Sequence, residues 1–208
     1  MKVKLNGKDY GECQSREEFL RLFDDLRRKE LREGRVIMRA DVDGNEMKVD
    51  EVVGIEPSSV EEMDVVSSDA KEMIAGALEQ SLSYIPVLRE HLPAISMGLR
   101  SGEIKDVMDA LSKAIEGIMW LNRIVSYSLR ILGAIEPTTV DAALGDDIRK
   151  FTQKEVNLKS VFDDVSDALE GGDFLRVADA IDYEILPWLD NYEGVIKGMN
   201  SYINRDRN

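Results

Sequence analysis

The pattern of apolar and polar positions divides the chain near residue 57. Before this point, apolar and polar residues alternate over short stretches, which is typical of β-strands. After it, apolar residues recur at intervals of three and four, which is typical of amphipathic helices. The junction contains Pro57 and two serines followed by acidic residues, a composition that favours a turn or linker. We therefore expect a small α+β domain over 1–57, a linker over 58–68 and an all-α domain over 69–208.

Two dipeptides in the N-terminal part, Asn6-Gly7 and Asp43-Gly44, are typical of tight turns between antiparallel strands. The stretches on either side of them alternate, so we expect two hairpins, with the second continuing the sheet from Met47 to Ile55. Between the hairpins, Ser15 followed by Glu18 predicts a capping box at the start of a helix. The expected domain is a small sheet with one helix packed on it.

The apolar stripes of the C-terminal part predict four helices in an antiparallel bundle. Pro86 and Pro93 interrupt the first stripe, which covers about 69–99, so we expect that helix to kink or split. The second stripe ends at Gly133 and the third at a glycine pair. Pro187 predicts a kink in the fourth helix.

An internal repeat supports this architecture. A shift of 70 residues places the start of the second helix on that of the fourth, with six identities that include Gly102 with Gly172 and an Asp-Ala pair. Amphipathicity alone requires neither the glycine nor the Asp-Ala pair. We therefore favour a duplicated helical hairpin, and the alternative is chance similarity between two amphipathic helices.

The charge of the chain limits its partners. Its formal net charge of −14 disfavours binding to nucleic acid and to anionic membrane surfaces. The sequence contains a single cysteine, Cys13, so no intrachain disulfide forms, and it shows neither a secretory signal nor a long apolar run. We expect a cytoplasmic protein that binds neither nucleic acid nor membranes.

Each group that could support chemistry has a simpler structural explanation. Asp41 opens a segment like a calcium loop, but Glu46 and Val52 stand where such a loop needs glycine and glutamate, so a hairpin turn is favoured. His91 suggests phosphotransfer, which needs a regular helix, yet Pro93 follows closely. A single histidine excludes multi-histidine metal sites. We expect no metal, no cofactor and no enzyme activity.

Two polar positions interrupt the apolar stripes of the helices. They are Asn122 in the second helix and Glu155 in the third, and Tyr192 is the repeat equivalent of Asn122. In an antiparallel bundle Asn122 and Glu155 fall at similar heights. We predict that the three residues form a buried polar cluster that fixes the register of the helices. A ligand cavity lined by this cluster, or an outward-facing Glu155, are the alternatives.

Aromatic residues are concentrated in the helical part, and tryptophan and tyrosine often anchor interfaces. We predict a partner-binding surface that comprises Trp120, Tyr183, Trp188 and Tyr192, although bundle cores also contain such residues. The leading hypothesis is a non-catalytic adaptor or chaperone-like bundle that accepts a helix of a protein partner in an apolar groove. The alternative is a signalling or small-ligand-binding bundle. A homodimer also remains open, because 57 residues form only a marginal core.

Overall fold

The computed structural model describes residues 1–136 and 158–205. The chain forms two compact units, Met1–Met73 and Ile74–Asn208. The first contains a small five-stranded sheet, and the described part of the second is helical. An N-terminal sheet followed by helices is the fold class that the apolar pattern predicts.

The sheet has the strand order β2-β1-β5-β3-β4, in which β1 and β5 are parallel and the other neighbours are antiparallel. The strands are β1 (Lys2–Leu5), β2 (Lys8–Glu12), β3 (Arg35–Val42), β4 (Asn45–Met47) and β5 (Glu62–Asp69). Both predicted tight turns are present. Asn6-Gly7 joins β1 to β2 and Asp43-Gly44 joins β3 to β4, and all four residues have positive φ, as a type I′ turn requires.

Strand β5 corrects the linker prediction for 58–68. It lies in the middle of the sheet, and its buried positions Met63, Val65 and Ser67 alternate with more exposed ones. The acidic residues near the junction obscured this alternation in the sequence. The first compact unit accordingly extends to Met73.

The predicted strand from Met47 to Ile55 is largely wrong. After β4 the chain forms a short helix, α2 (Val49–Val52), and then a single 3₁₀ turn, Pro57–Ser59. Val52 is fully buried and Ile55 nearly so. Their apolar character reflects packing into the core of the unit rather than membership of the sheet.

Helix α1 (Arg16–Arg32) begins with the predicted capping box. The Ser15 hydroxyl accepts a hydrogen bond from the Glu18 amide at 3.2 Å, and the Glu18 carboxylate accepts one from the Gln14 amide at 2.8 Å. The latter bond, with one from the Ser15 amide, lowers the pKa of Glu18. The buried face of the helix contributes Phe19, Phe23 and Leu26 to the core of this unit.

A carboxylate is buried near the end of α1. Glu30 is 2% exposed and accepts hydrogen bonds from the Ser67 hydroxyl and, at 3.1 Å, from Nε of Arg35. Asn6 Nδ2 donates to the same Ser67 hydroxyl at 2.9 Å. These bonds satisfy a charge whose burial is otherwise costly, and they tie α1 to β3 and β5.

The sheet carries a β-bulge near each of its edges. In β2, Tyr10 has no counterpart in β1, because Val3 faces Gly11 and the next residue faces Asp9. In β3, Met38 has no counterpart in β5, and it precedes the residues that pair with β4. Each bulge therefore lies in a stretch that pairs with a described strand on one side only.

The second unit is built from helices of different lengths. They are α3 (Ala70–Ser101), α4 (Ile104–Ile135), α5 at residues 158–170, α6 (Phe174–Ala180) and α7 (Leu186–Arg205), with a π-helical turn, Ile181–Ile185, joining α6 to α7. The predicted third helix falls partly at 144–157, outside the described residues. Among the described helices, none has the length and apolarity needed to cross a membrane.

Pro86 and Pro93 do not split α3, which is a single helix through both positions. Both prolines are exposed, whereas Leu88, Leu92 and Ile95 on the other side of the helix are buried. The carbonyl groups that lose their amide donors therefore lie on the side where water satisfies them. Pro187 is the second residue after the π turn, within α7, and the kink predicted there stays a prediction.

The turns at the ends of α3 and α5 have the same hydrogen-bond pattern. The amides of Gly102 and Glu103 donate to carbonyl oxygens three and five residues earlier, at 3.4 and 2.9 Å. The amides of Gly172 and Asp173 do the same at 3.2 and 2.8 Å. Both glycines have positive φ, 82° and 71°, as this type of helix end requires. The two turns are thus alike at the spacing of the sequence repeat.

Side-chain contacts fix the directions of the helices. Arg100 near the end of α3 binds Asp179 of α6 at 2.6 Å, and Arg89, earlier in α3, binds Glu193, later in α7, also at 2.6 Å. Helix α3 is therefore antiparallel to α6 and α7. The Tyr192 hydroxyl donates to the Leu121 carbonyl oxygen and the Tyr202 hydroxyl to the Glu136 carboxylate, so α4 is parallel to α7.

Candidate partner-binding groove

A groove of about 840 Å³ lies between α3 and α4. Each helix contributes four residues at the spacing i, i+3, i+4, i+7, so the groove is formed by one face of each helix. The lining residues are Gln80, Ser83, Tyr84 and Val87 from α3 and Lys113, Glu116, Gly117 and Trp120 from α4.

Gly117 allows an aromatic side chain to lie on the backbone of α4. A Cβ atom at this position would come within 2.4 Å of the Tyr84 hydroxyl oxygen and 2.6 Å of its ring. The Tyr84 ring packs edge-on against Trp120, with 5.9 Å between the ring centroids. Val87 on the same wall is 41% exposed. The groove therefore offers two aromatic rings and an exposed aliphatic side chain to an apolar ligand.

Polar groups accompany this apolar surface. Lys113 and Glu116 lie on the α4 side of the groove and Gln80 and Ser83 on the α3 side. The Ser83 hydroxyl donates to the Gln80 carbonyl oxygen at 2.8 Å. In the described ranges, His, Cys, Asp and Glu residues form no group of three that could hold a metal ion. The groove therefore combines apolar and polar lining residues in equal parts.

The predicted partner-binding residues occupy different environments. Trp120 is half-buried and lines the groove, and Tyr183 is 74% exposed on the π turn. Trp188 and Tyr192 are only 7% and 2% exposed and stack on each other at 4.4 Å. These two side chains do not present a surface to a partner, and their prediction as binding residues is corrected. They continue the buried apolar stripe of α7.

The predicted polar cluster is described only in part. The buried Tyr192 hydroxyl reaches the carbonyl oxygen of Leu121, so Tyr192 lies at the level of the neighbouring Asn122. Asn122 is half-buried. Glu155 lies outside the described residues, and the cluster of three remains a prediction.

The structure also places the single histidine and the single cysteine of the chain, His91 and Cys13. His91 is exposed, and α3 is continuous on both sides of it, so the argument that Pro93 disrupts the helix there is wrong. Cys13 is 1% exposed in the sheet unit, and desolvation raises the pKa of its thiol. A buried, protonated thiol is a poor nucleophile.

Tyr84, Val87 and Gly117 were not predicted from the sequence as groove residues. The available signal was Gly117 itself, because a glycine within a helical apolar stripe often marks a close approach. The residue that approaches it lies 33 positions earlier. Periodicity within α4 does not identify it.

A family model described as a domain of unknown function, DUF8042, matches residues 76–194. The chain belongs to this family. All eight residues of the groove and the repeated turns lie within the DUF8042 segment, whereas the strands of the sheet precede it. No curated protein and no solved structure matches the chain.

Proposed function

We propose that the DUF8042 segment is a non-catalytic protein-interaction module, an adaptor or chaperone-like helical bundle that accepts a helix of a partner protein in the groove between α3 and α4. The matching i, i+3, i+4, i+7 lining of the two helices supports this most directly. A helix that docks on other helices presents apolar residues at this same spacing. The groove extends over eight residues of each helix, 80–87 and 113–120, a rise of roughly 10 Å, which accommodates about two turns of a partner helix.

The proposal includes a four-helix bundle built from two copies of a hairpin. It is supported by the equivalent turns at Gly102 and Gly172 and by the antiparallel contacts of α3 with α6 and α7. In such a bundle the second and fourth helices run parallel, as α4 and α7 do. The groove then lies on the outside of the first hairpin, where the helix of a partner protein can pack without opening the core of the bundle.

The second candidate is a small-ligand-binding or signalling module. Its support is the size of the groove, since 840 Å³ falls within the range typical of small-molecule pockets. Half of the lining consists of polar residues that could orient a ligand, among them Lys113 and Glu116. A ligand of this kind would contact the aromatic pair with its apolar part.

Affinity capture from the native cell extract with paired variants tests the proposal. Val87→Asp places a charge at a half-exposed groove position, and Met97→Asp is the matched control at a 68% exposed position of the same helix outside the groove. We expect a protein that co-purifies with the wild-type chain and with Met97→Asp, and at least tenfold less of it with Val87→Asp. Equal recovery with both variants, or capture of no protein, contradicts the proposal. A small molecule lost only with Val87→Asp supports the second candidate.

A further inference from the structure

Two large apolar side chains are exposed along α6 and the π turn that follows it. Leu175 is 57% exposed and Tyr183 is 74% exposed. Asp179 lies midway between them, so the three residues succeed one another at a spacing of four on one side of the helix. The π turn winds less per residue than an α-helix, which places Tyr183 closer to the line of Leu175. We call Leu175, Asp179 and Tyr183 the α6 face.

The α6 face lies in the most acidic part of the described helices. Residues 158–190 contain nine Asp or Glu and two Lys or Arg. Arg100 of α3 binds Asp179 at 2.6 Å and Asp182 at 3.0 Å, and Arg89 binds Asp190 at 2.7 Å. These two arginines still leave an excess of five negative charges in the segment. Glu184, beside Tyr183, is exposed.

Arg100 shows how this surface holds a cation. Its guanidinium group binds the carboxylate of Asp179 in α6 and that of Asp182 in the π turn. A lysine or arginine of another protein that approaches the α6 face meets Asp179, whose carboxylate already binds Arg100, and the exposed carboxylate of Glu184 beside Tyr183. Charge-assisted hydrogen bonds of this kind are stronger than those between neutral groups.

We propose that the α6 face is a second docking surface, which binds a basic amphipathic helix of a partner protein. Such a helix carries lysine or arginine next to its apolar positions. Its apolar residues cover Leu175 and Tyr183, and its cations neutralise the surrounding carboxylates. The excess negative charge also accelerates the encounter with a cationic partner.

This surface is independent of the groove that the proposed function uses. On α3, Tyr84 faces the groove, whereas Arg100 contacts α6. These two positions are separated by 16 residues, which is about 160° around the helix axis. The two surfaces therefore lie on opposite flanks of α3, and occupancy of one leaves the other accessible. A chain with both surfaces can bridge two partners.

Binding of a synthetic amphipathic peptide to the full chain tests the inference. The probe is a fluorescently labelled helix of leucine and lysine, and its control has glutamate at every lysine position. We expect the lysine peptide to bind with an affinity that falls at least tenfold between 50 and 300 mM salt, as order-of-magnitude values for a contact of several charges, and the glutamate peptide not to bind. Equal binding of the two peptides overturns the inference.

Variants locate the binding site. We expect the double variant Leu175→Ser, Tyr183→Ser to weaken binding of the lysine peptide at least tenfold, while the control Tyr127→Ser, at a 50% exposed tyrosine of α4, leaves it unchanged. Glu184→Lys weakens binding at low salt and less at high salt, which keeps the test valid if the double variant unfolds. Unchanged affinity in these variants overturns the inference. If Val87→Asp alone abolishes binding, the peptide occupies the groove, which refutes this inference and supports the proposed function.

Discussion

The Tyr84 side chain lies directly on the backbone of Gly117, where a Cβ atom would come within 2.4 Å of its hydroxyl oxygen. Gly98 has an equally close neighbour, Cγ1 of Val107, also at 2.4 Å from a Cβ atom at that position. Both glycines therefore allow α3 and α4 to approach each other. They differ in what a methyl group would displace, because a tyrosine ring can swing outward and a β-branched valine has few rotamers.

We expect Gly117→Ala to move the Tyr84 ring off α4 and away from Trp120. Alanine is favoured over glycine in a helix by about 1 kcal/mol, which offsets the loss of the ring contact, so the free energy of unfolding changes by less than about 1 kcal/mol. The measurement is Trp120 fluorescence in a Trp188→Phe background, together with urea unfolding. An unchanged emission spectrum would show that Tyr84 is not displaced.

Gly98→Ala should instead destabilise the chain. The added methyl group forces Val107 or the helix backbone to move, and such overpacking costs about 1–3 kcal/mol. Urea unfolding of the wild type, Gly98→Ala and the double variant Gly98→Ala, Val107→Ala measures the cost. If the double variant is no more stable than the single one, the contact with Val107 is not the cause.

The repeated turns predict a pair of matched effects. Gly102 and Gly172 both have positive φ, a conformation that costs an L-residue about 1–2 kcal/mol. We expect Gly102→Ala and Gly172→Ala each to lower the free energy of unfolding by that amount, whereas Gly171→Ala, next to Gly172 but without positive φ, has a smaller effect. Loss of stability in only one of the two turns contradicts their equivalence.

The parts of the fold that local signals define could be predicted from the sequence. The dipeptides at residues 6–7 and 43–44 require positive φ and thereby fixed both hairpins, and the capping box fixed the start of α1. Strand β5 was missed because its pairing is long-range, with β1 about sixty residues earlier and β3 about thirty. Its sequence also contains acidic residues that are more typical of a linker.

The groove could be predicted only in part. Trp120 was identified by residue type, but its environment depends on Tyr84 and Gly117, which come together only when two helices pack. Trp188 and Tyr192 were misassigned because an aromatic residue within an apolar stripe is suited to a core and to an interface alike. Burial, which decides between the two, is a property of the packed helices.

The buried carboxylate in the sheet unit predicts a large difference between two glutamates of α1. We expect Glu30→Ala to cost about 2–3 kcal/mol, because it removes charge-assisted hydrogen bonds from Arg35 and Ser67. The control Glu17→Ala breaks an ion pair with Arg21 in which both side chains are 76% exposed, and costs less than about 0.5 kcal/mol. Thermal unfolding of the two variants compares them, and equal costs contradict the role of the buried network.

The ion pairs between α3 and α7 predict a dependence on pH. Hydrogen bonds from Lys197 and Arg89 lower the pKa of Glu193 below its ordinary value of 4.5. The charged form therefore stabilises the fold above pH 4.5, and this contribution is lost as the pH falls through the lower folded-state pKa.

We expect Glu193→Gln to be less stable than the wild type at neutral pH by about 0.5–1 kcal/mol. The difference should shrink as the pH falls below 4.5. Urea unfolding between pH 3 and pH 7 measures it, with Glu79→Gln, at an exposed glutamate of α3, as the control. A difference in stability that is constant across this range contradicts the claim that the ionised Glu193 carboxylate contributes the pH-dependent stability.

The two bulges affect how copies of the chain behave at high concentration. A strand from another molecule that added beside β2 or the start of β3 would lose hydrogen-bond register at Tyr10 or at Met38. Such irregularities hinder the edge-to-edge growth that leads to fibrils. We therefore expect the sheet to resist the addition of strands from other copies of the chain at these two places.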